Sequence, residues 1–287
     1  MFLPGLLLIL VFEYGPMYGL ILAFKEYNLS LGVWGSPWVG LDNFNRLLTD
    51  EDALQVLRNT LIISVLKLMA GIPAPIILAL IINEARAGLF KRTVQTVSYL
   101  PHFLSWVILS AVVYQVLSPS SGVVNILLRE LGFRPIYFLA SETWFRPILV
   151  MSSVWKEVGW GTIIYLAALT SVNSDLHEAA VIDGASRLRR IRDINLPTIV
   201  PVIGIVALLS MGSILSAGFD QVFNLYNPQV YSVADIIDTY VYRIGLVGFD
   251  YSFSTAVGLF KGVVGFTLVM VFNAYARKLS DGRYGLW

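Results

Sequence analysis

Long apolar runs alternate with short polar stretches along this chain, and the apolar runs have the length of membrane helices. A helix needs about 20 apolar residues to cross the hydrocarbon core of a bilayer. Six segments qualify, at about residues 2–24, 55–83, 94–117, 147–169, 197–219 and 251–273. The run 197–219 carries no charge, whereas 147–169 holds Lys156 and Glu157 at its middle. Pro73 and Pro75 fall near the centre of the second run and predict an interruption there, which is tolerated where the backbone packs in protein or lines a cavity. Two polar stretches carry short amphipathic patterns. Val124, Leu127, Leu128 and Leu131, then Ile237, Tyr240, Val241 and Ile244, fall at helical spacing. They predict short helices that either rest on the membrane interface or face an external partner. The expectation is an all-α membrane protein, one transmembrane domain over 1–287 with six transmembrane helices.

Composition agrees with this pattern. The chain of 287 residues is 56% hydrophobic and 14% charged, against about 45–50% and about 25% in soluble domains. A net charge of +1 offers no footing for nucleic acid. The absence of cysteine excludes disulfide and thiolate chemistry, and two histidines leave little for a metal site. The first run lacks a basic leader and a small-residue cleavage pattern, and contains Glu13 and Pro16; it predicts a membrane helix and not a signal peptide. Basic residues set the orientation. Arg86, Lys91, Arg92, Arg187, Arg189, Arg190, Arg192, Arg277, Lys278 and Arg283 crowd into segments 84–93, 170–196 and 274–287. The longer segments 25–54, 118–146 and 220–250 hold only Lys25, Arg46, Arg129, Arg134, Arg146 and Arg243. Both termini are therefore expected in the cytoplasm.

Five charges lie near the middle of spans: Glu13, Lys67, Lys156, Glu157 and Lys261. Each costs about 2.5–3.5 kcal/mol on insertion scales, so each should face protein or a water cavity. Mutual pairing or lysine snorkelling is one reading; a polar substrate pathway is the other, with a slight positive excess suited to anionic groups. Trp155 and Trp160 flank the Lys156–Glu157 pair, where aromatic faces suit sugar rings, although such aromatics also serve as packing or interface anchors. Gly258 and Gly262 form a small-residue step that predicts close helix packing. Catalytic signals are absent. His177-Glu178 opens like a zinc motif but Val181 stands where a second histidine is needed. No phosphate-binding G-x-x-x-x-G-K-[ST] and no G-x-S-x-G occurs, so no enzyme is expected.

The charged island at about 173–196 separates two apolar runs. Asp175 and Glu178 suit the start of a helix as a capping box, and Ala179 and Ala180 keep its first turn slim. Gly184 can end it in a left-handed turn. Leu188, Ile191 and Ile194 give a second helix an apolar edge, and Pro197 suits the start of the next span. This predicts a helix-turn-helix standing off the membrane; on charge alone, an ordinary basic cytoplasmic loop is the competing reading.

Glu178-Ala179-Ala180, three residues, Gly184, nine residues and Ile194-Asn195-Leu196-Pro197 match in full the EAA signature of the membrane subunits of binding-protein-dependent ABC importers. Leu3-Pro4-Gly5, Tyr18-Gly19-Leu20-Ile21-Leu22-Ala23-Phe24-Lys25, the segment from Gly35 to Phe44, and Asp281-Gly282-Arg283-Tyr284-Gly285-Leu286-Trp287 further resemble the carbohydrate type I importers of the alginate and aldouronate kind. The resemblance implies the type I permease fold, placed in a bacterial cytoplasmic membrane. It implies oligosaccharide import without a cofactor in this chain, Mg-ATP being bound by the partner ATPase. The implied partners are a second permease, a dimer of ATPase subunits and an extracytoplasmic solute-binding protein. The EAA loop, with Glu178, Ala179, Ala180, Gly184, Ile194, Leu196 and Pro197, would dock in the ATPase and couple it to the spans. Members usually carry a basic cytoplasmic leader, which this sequence does not show. A permease for a neutral sugar, an amino acid or phosphate remains open, as does a stand-alone ion-coupled transporter relying on Glu13 and Glu157.

Overall fold

A computed structural model of the chain describes residues 2–86 and 88–279. Residues 281–287, including Arg283, lie outside the described part. Twelve of the helices among the described residues organise the fold. They are α1 (Phe2–Phe24), α2 (Asp42–Thr49), α3 (Glu51–Glu84), α4 (Leu89–Phe103), α5 (Trp106–Leu117) and α6 (Val123–Glu130), followed by α7 (Glu142–Leu169), α8 (Ser174–Ile182), α9 (Arg187–Met211), α10 (Phe219–Leu225), α11 (Ile237–Val241) and α12 (Tyr251–Leu279). Among the described residues the extended pairing is a single bridge between Lys25 and Trp38.

Among the described residues four helices, α1, α3, α9 and α12, are long and apolar enough to cross a membrane, and α4 with α5 would make a fifth as a bent pair. Helix α7 has 28 residues and carries Lys156 and Glu157 at its centre. The segment 94–117, expected as one span, is instead two half-helices meeting at 108°. Pro101 lies in a 3₁₀ turn that ends α4, Leu104 is extended, and the Ser105 hydroxyl caps α5 by accepting from the Ile108 amide. Proline and a strong N-cap thus place a stop and a start side by side. At Pro73 and Pro75 the opposite holds. Ile72 keeps helical angles, its amide bonds Leu68, and α3 continues through.

Helix α7 is the post of the fold, packed by α3, α4, α5, α9 and α10. Its Gly159 meets α4 so closely that a Cβ there would lie 2.0 Å from the Ser98 carbonyl oxygen. Gly258 and Gly262, expected to mediate close packing, have nothing within 4 Å of an added Cβ. They lie on a face of α12 that this chain leaves open.

The connecting segments gather at two ends. At one end, 25–54, 118–146 and 220–250 fold over the helices. Ile63, Phe145, Leu149, Val222 and Ile236 form one buried cluster there, and Leu47, Val56, Tyr240 and Phe253 another. Helix α11 buries Ile237 and Tyr240 in that core, with Val241 and Ile244 packed beside it. On α6 the predicted face divides: Val124 and Leu128 pack inward while Leu127 and Leu131 stay exposed. The buried anchor is Asn125, whose amide donates to the Leu117, Ser118 and Ile136 carbonyls and whose Oδ1 accepts from the Ile136 amide. At the other end, Ile76, Ala79, Tyr165, Leu169 and Ile199 pack together beneath the segment 170–196.

Candidate functional site

Two regions carry the sequence candidates: α8 with its turn, and the elbow between α4 and α5 where it meets α7.

Helix α8 begins two residues earlier than the acidic pair predicts. Its cap is Asn173, whose Oδ1 accepts from the Asp175 amide at 2.9 Å, so Asp175 and Glu178 act through charge near the positive helix end. At its other end Gly184 adopts φ +73°. The Ala185 amide bonds the Ala180 carbonyl at 2.8 Å and the Gly184 amide bonds Val181 at 3.0 Å, the paired bonds of a Schellman turn. No residue of α8 is buried. Leu176, Val181 and Ile182 project from it uncovered, with Leu188 beside them. Glu178 and Ala179 are exposed and Ala180 half-buried. The expected second helix and following span are one element: α9 runs from Arg187 to Met211. A π turn over Ile191–Asn195, closed by the Leu196 amide on the Ile191 carbonyl, lets the helix pass Pro197, which has no donor of its own. Ile194 and Leu196 are half-buried at this junction and Pro197 is exposed.

The elbow gathers Lys156, Glu157 and Trp160 of α7 with His102, Phe103 and Trp106. Lys156 is buried, and its ammonium donates to the His102 carbonyl at 2.6 Å and the Leu104 carbonyl at 2.7 Å, with Pro101 at 3.4 Å. The Trp106 ring lies 5.8 Å away. Three donors on one charge answer carbonyls that the broken helix leaves free at its negative end. Beside it, His102 Nδ1 and Glu157 Oε2 lie 2.8 Å apart and share a hydrogen bond. The His102 ring stacks on Trp160 at 4.5 Å and 2°, and Phe103 closes edge-on at 5.9 Å. Glu157 and Trp160 remain partly exposed. His102 and Phe103 went unnoticed in the sequence, although Leu100-Pro101-His102-Phe103 carried the signal: a proline and a polar residue inside an apolar run.

The other candidates lie apart. Trp155 points into an apolar groove with Val112, Val116, Ile148 and Met151. The Lys67 ammonium donates to the Ala217 carbonyl at 2.5 Å and to Gln221 Oε1, at the break between α9 and α10. Lys261 pairs with Asp238. The positive excess expected for anionic substrates is therefore already engaged by protein groups at all three lysines. Glu13 is exposed on α1. Lys67 and Lys156 close breaks in neighbouring helices, and Lys156→Met is expected to remove the donor from the part-buried His102 and Leu104 carbonyls, at up to about 1–3 kcal/mol each. The thermal midpoint of the purified protein should fall by several degrees, with Lys156→Arg recovering part of it; an unchanged midpoint would refute this bonding.

Sequence relatives cover nearly the whole chain. The chain is 47% identical to Protein LplB of Bacillus subtilis over 279 residues, spanning 97% of this chain and 88% of that protein. It is 46% identical to the polygalacturonan/rhamnogalacturonan transport system permease protein YteP of the same organism, spanning 98% and 88%. Among solved structures, a subunit of a bacterial ABC transporter involved in the import of the acidic polysaccharide alginate superposes with a TM-score of 0.90 at 44% identity, over 98% of this chain and 94% of that one. The fold is thus that of a type I ABC permease. Residues 71–282, which include the elbow, α7 and the whole of α8, match one family model, and the chain belongs to the family of binding-protein-dependent transport system inner membrane components.

Proposed function

We propose that the chain is one of two membrane subunits of an ATP-driven importer of oligosaccharides containing uronic acids, delivered by an extracytoplasmic solute-binding protein. The observation that carries this reading is α8, which opens a complete EAA signature continued through the Gly184 turn into α9, buries none of its own residues and presents Leu176, Val181 and Ile182 uncovered. Such a surface, standing away from the membrane helices, fits a groove on a separate ATPase, which would bind Mg-ATP. The substrate class follows from relatives that cover nearly the whole chain, one named for polygalacturonan and rhamnogalacturonan, one solved as part of an alginate importer. A second solved structure of the alginate transporter holds a periplasmic protein with alginate pentasaccharide bound, in keeping with a solute-binding partner here.

In this reading six spans, α1, α3, the α4–α5 pair, α7, α9 and α12, place both termini and α8 in the cytoplasm. The chain has no cysteine of its own, so single cysteines report cleanly. Ser120→Cys and Asn227→Cys should react with an impermeant thiol reagent from outside, and Ser186→Cys should not; the reverse pattern overturns the topology. Glu157, His102 and Trp160 form the proposed substrate contact, an aromatic face beside a carboxylate–imidazole pair at the centre of α7. Lys67, Lys156 and Lys261 support helices in this proposal and do not meet substrate.

Reconstitution tests the whole. With the partner permease, the ATPase and the binding protein in proteoliposomes, uptake of trigalacturonate should require ATP and the binding protein together. Uptake driven by an ion gradient without ATP would instead favour a secondary transporter in which Glu157 relays protons.

A further inference from the structure

We propose that a row of aromatic rings on α10 and its neighbours is a stacking track, along which successive sugar rings pass toward the centre of the membrane domain. The inference rests on the reading that this chain moves oligosaccharides. Phe219 and Phe223 stack at 5.1 Å and 21°. Tyr242, from the turn after α11, packs against both, at 5.7 and 5.0 Å. Beyond them Phe223 meets Tyr226 at 6.0 Å and Tyr226 meets Tyr231 at 5.0 Å. Five rings thus form an unbroken series, from the end where 220–250 folds over the helices down to the break between α9 and α10.

Core packing accounts for one end of this series, where Tyr226 packs on the buried cluster and Arg243 lies 5.1 Å over the Tyr231 ring, but not for Phe219, Phe223 and Tyr242. The inward face of α10 is made by Gln221, Val222 and Leu225, all buried. Phe223 is 37% exposed, and Phe219, Tyr226, Tyr231 and Tyr242 are half-buried. Nor does lipid suit the open face. Asp220 is exposed on it, between Phe219 and Gln221, and Gln221 contacts Lys67 at the middle of α3. A carboxylate at that depth belongs against water and not hydrocarbon. Asn224, half-exposed one turn on, adds a second polar group to the same face.

Aromatic faces alternating with polar side chains match the chemistry of a pyranose ring. Its C–H faces carry positive hydrogens that suit the negative face of an aromatic ring, while its edge presents hydroxyls to groups such as Asp220 and Asn224. On the buried side of α10, Gln221 donates to Ser152 Oγ at 2.8 Å, which fixes α10 against α7 one helical turn before Lys156. Stacking is indifferent to the sign of a substituent, so the track accounts for movement of uronate chains without a free lysine.

The test uses the assembled transporter in proteoliposomes with digalacturonate and trigalacturonate as probes. A track that holds rings in series predicts that Phe223→Ala slows trigalacturonate about fivefold, as expected for one lost stacking contact, and slows digalacturonate much less. Phe223→Tyr should restore both. An equal loss for the two lengths, or none for either, overturns the track while leaving oligosaccharide import standing. A second arm needs no transport. Phe223→Cys should react with a charged, water-soluble methanethiosulfonate and be protected by trigalacturonate; a thiol inert in both nucleotide-free and ATP-bound complexes shows a lipid-facing or buried position and overturns the proposal. Failure of the wild-type complex to move either oligomer would overturn the import reading instead.

Discussion

Gly184→Val is expected to bring binding-protein-stimulated ATP hydrolysis down to the basal level while the chain remains inserted and assembled. At φ +73° a side chain faces backbone strain and no clash, since nothing lies within 4 Å of an added Cβ. The left-handed conformation costs an L-residue about 1–2 kcal/mol, and a β-branched one is a still rarer occupant. Helix α8 has no buried residue to hold it in place, so the Schellman turn is a main determinant of its direction. Relaxing that turn redirects Glu178 and the apolar face together. Asparagine tolerates the left-handed region, so Gly184→Asn should retain most of the stimulation. Full stimulation by the valine variant in an assembled complex would disprove the coupling role.

The second large effect is expected at Gly159. A Cβ there would sit 2.0 Å from the Ser98 oxygen, 2.3 Å from its carbon and 2.8 Å from the Tyr99 nitrogen. All three are backbone atoms of α4, which cannot swing aside as a side chain does. Overpacking in a core costs about 1–3 kcal/mol when side chains can adjust; here the helix itself must move. Lys156 lies one turn earlier on the same face of α7, so displacing α4 also draws the elbow carbonyls off the ammonium. Gly159→Ala should therefore fail to yield assembled protein, or yield it with a thermal midpoint lowered by ten degrees or so. Gly71→Ala, at a helical glycine with open space around it, is the control and should be neutral or slightly stabilising. Equal midpoints for the two variants would show that α4 and α7 do not approach this closely.

Membrane character and helical content were legible because both are properties of composition and run length. The left-handed turn at Gly184 was legible because only one residue type does that work without strain, and the EAA spacing because it is long and fixed. The elbow was not. Residues 94–117 read as one apolar run, and hydropathy is blind to a stop and a start within it; Pro101 and Ser105 held the information but are common in spans that do not break. Pro73 and Pro75 misled in the other direction, since packing on α7 keeps α3 helical through them. The lysines show a different limit. Sequence marks Lys67, Lys156 and Lys261 as charges in need of partners, but the partners are backbone carbonyls at remote breaks and Asp238, which no local pattern reveals. The π turn before Pro197 was equally hidden, because it answers a missing donor that a new helix start would also have excused.

The bond between Lys156 and the elbow sets an order of events in synthesis. Helices α4 and α5 are 15 and 12 residues long, each short of the about 20 needed to span, so neither half is a stable insertion unit. Their free carbonyls wait for an ammonium that lies 52 to 55 residues further along the chain. At about 5–20 residues per second, the ribosome delivers that lysine some 3–10 s later. During that interval the elbow must stay within the insertion machinery or at the bilayer surface. Slowing elongation between codons 105 and 156 would lengthen that exposure and raise the fraction of chains degraded before assembly.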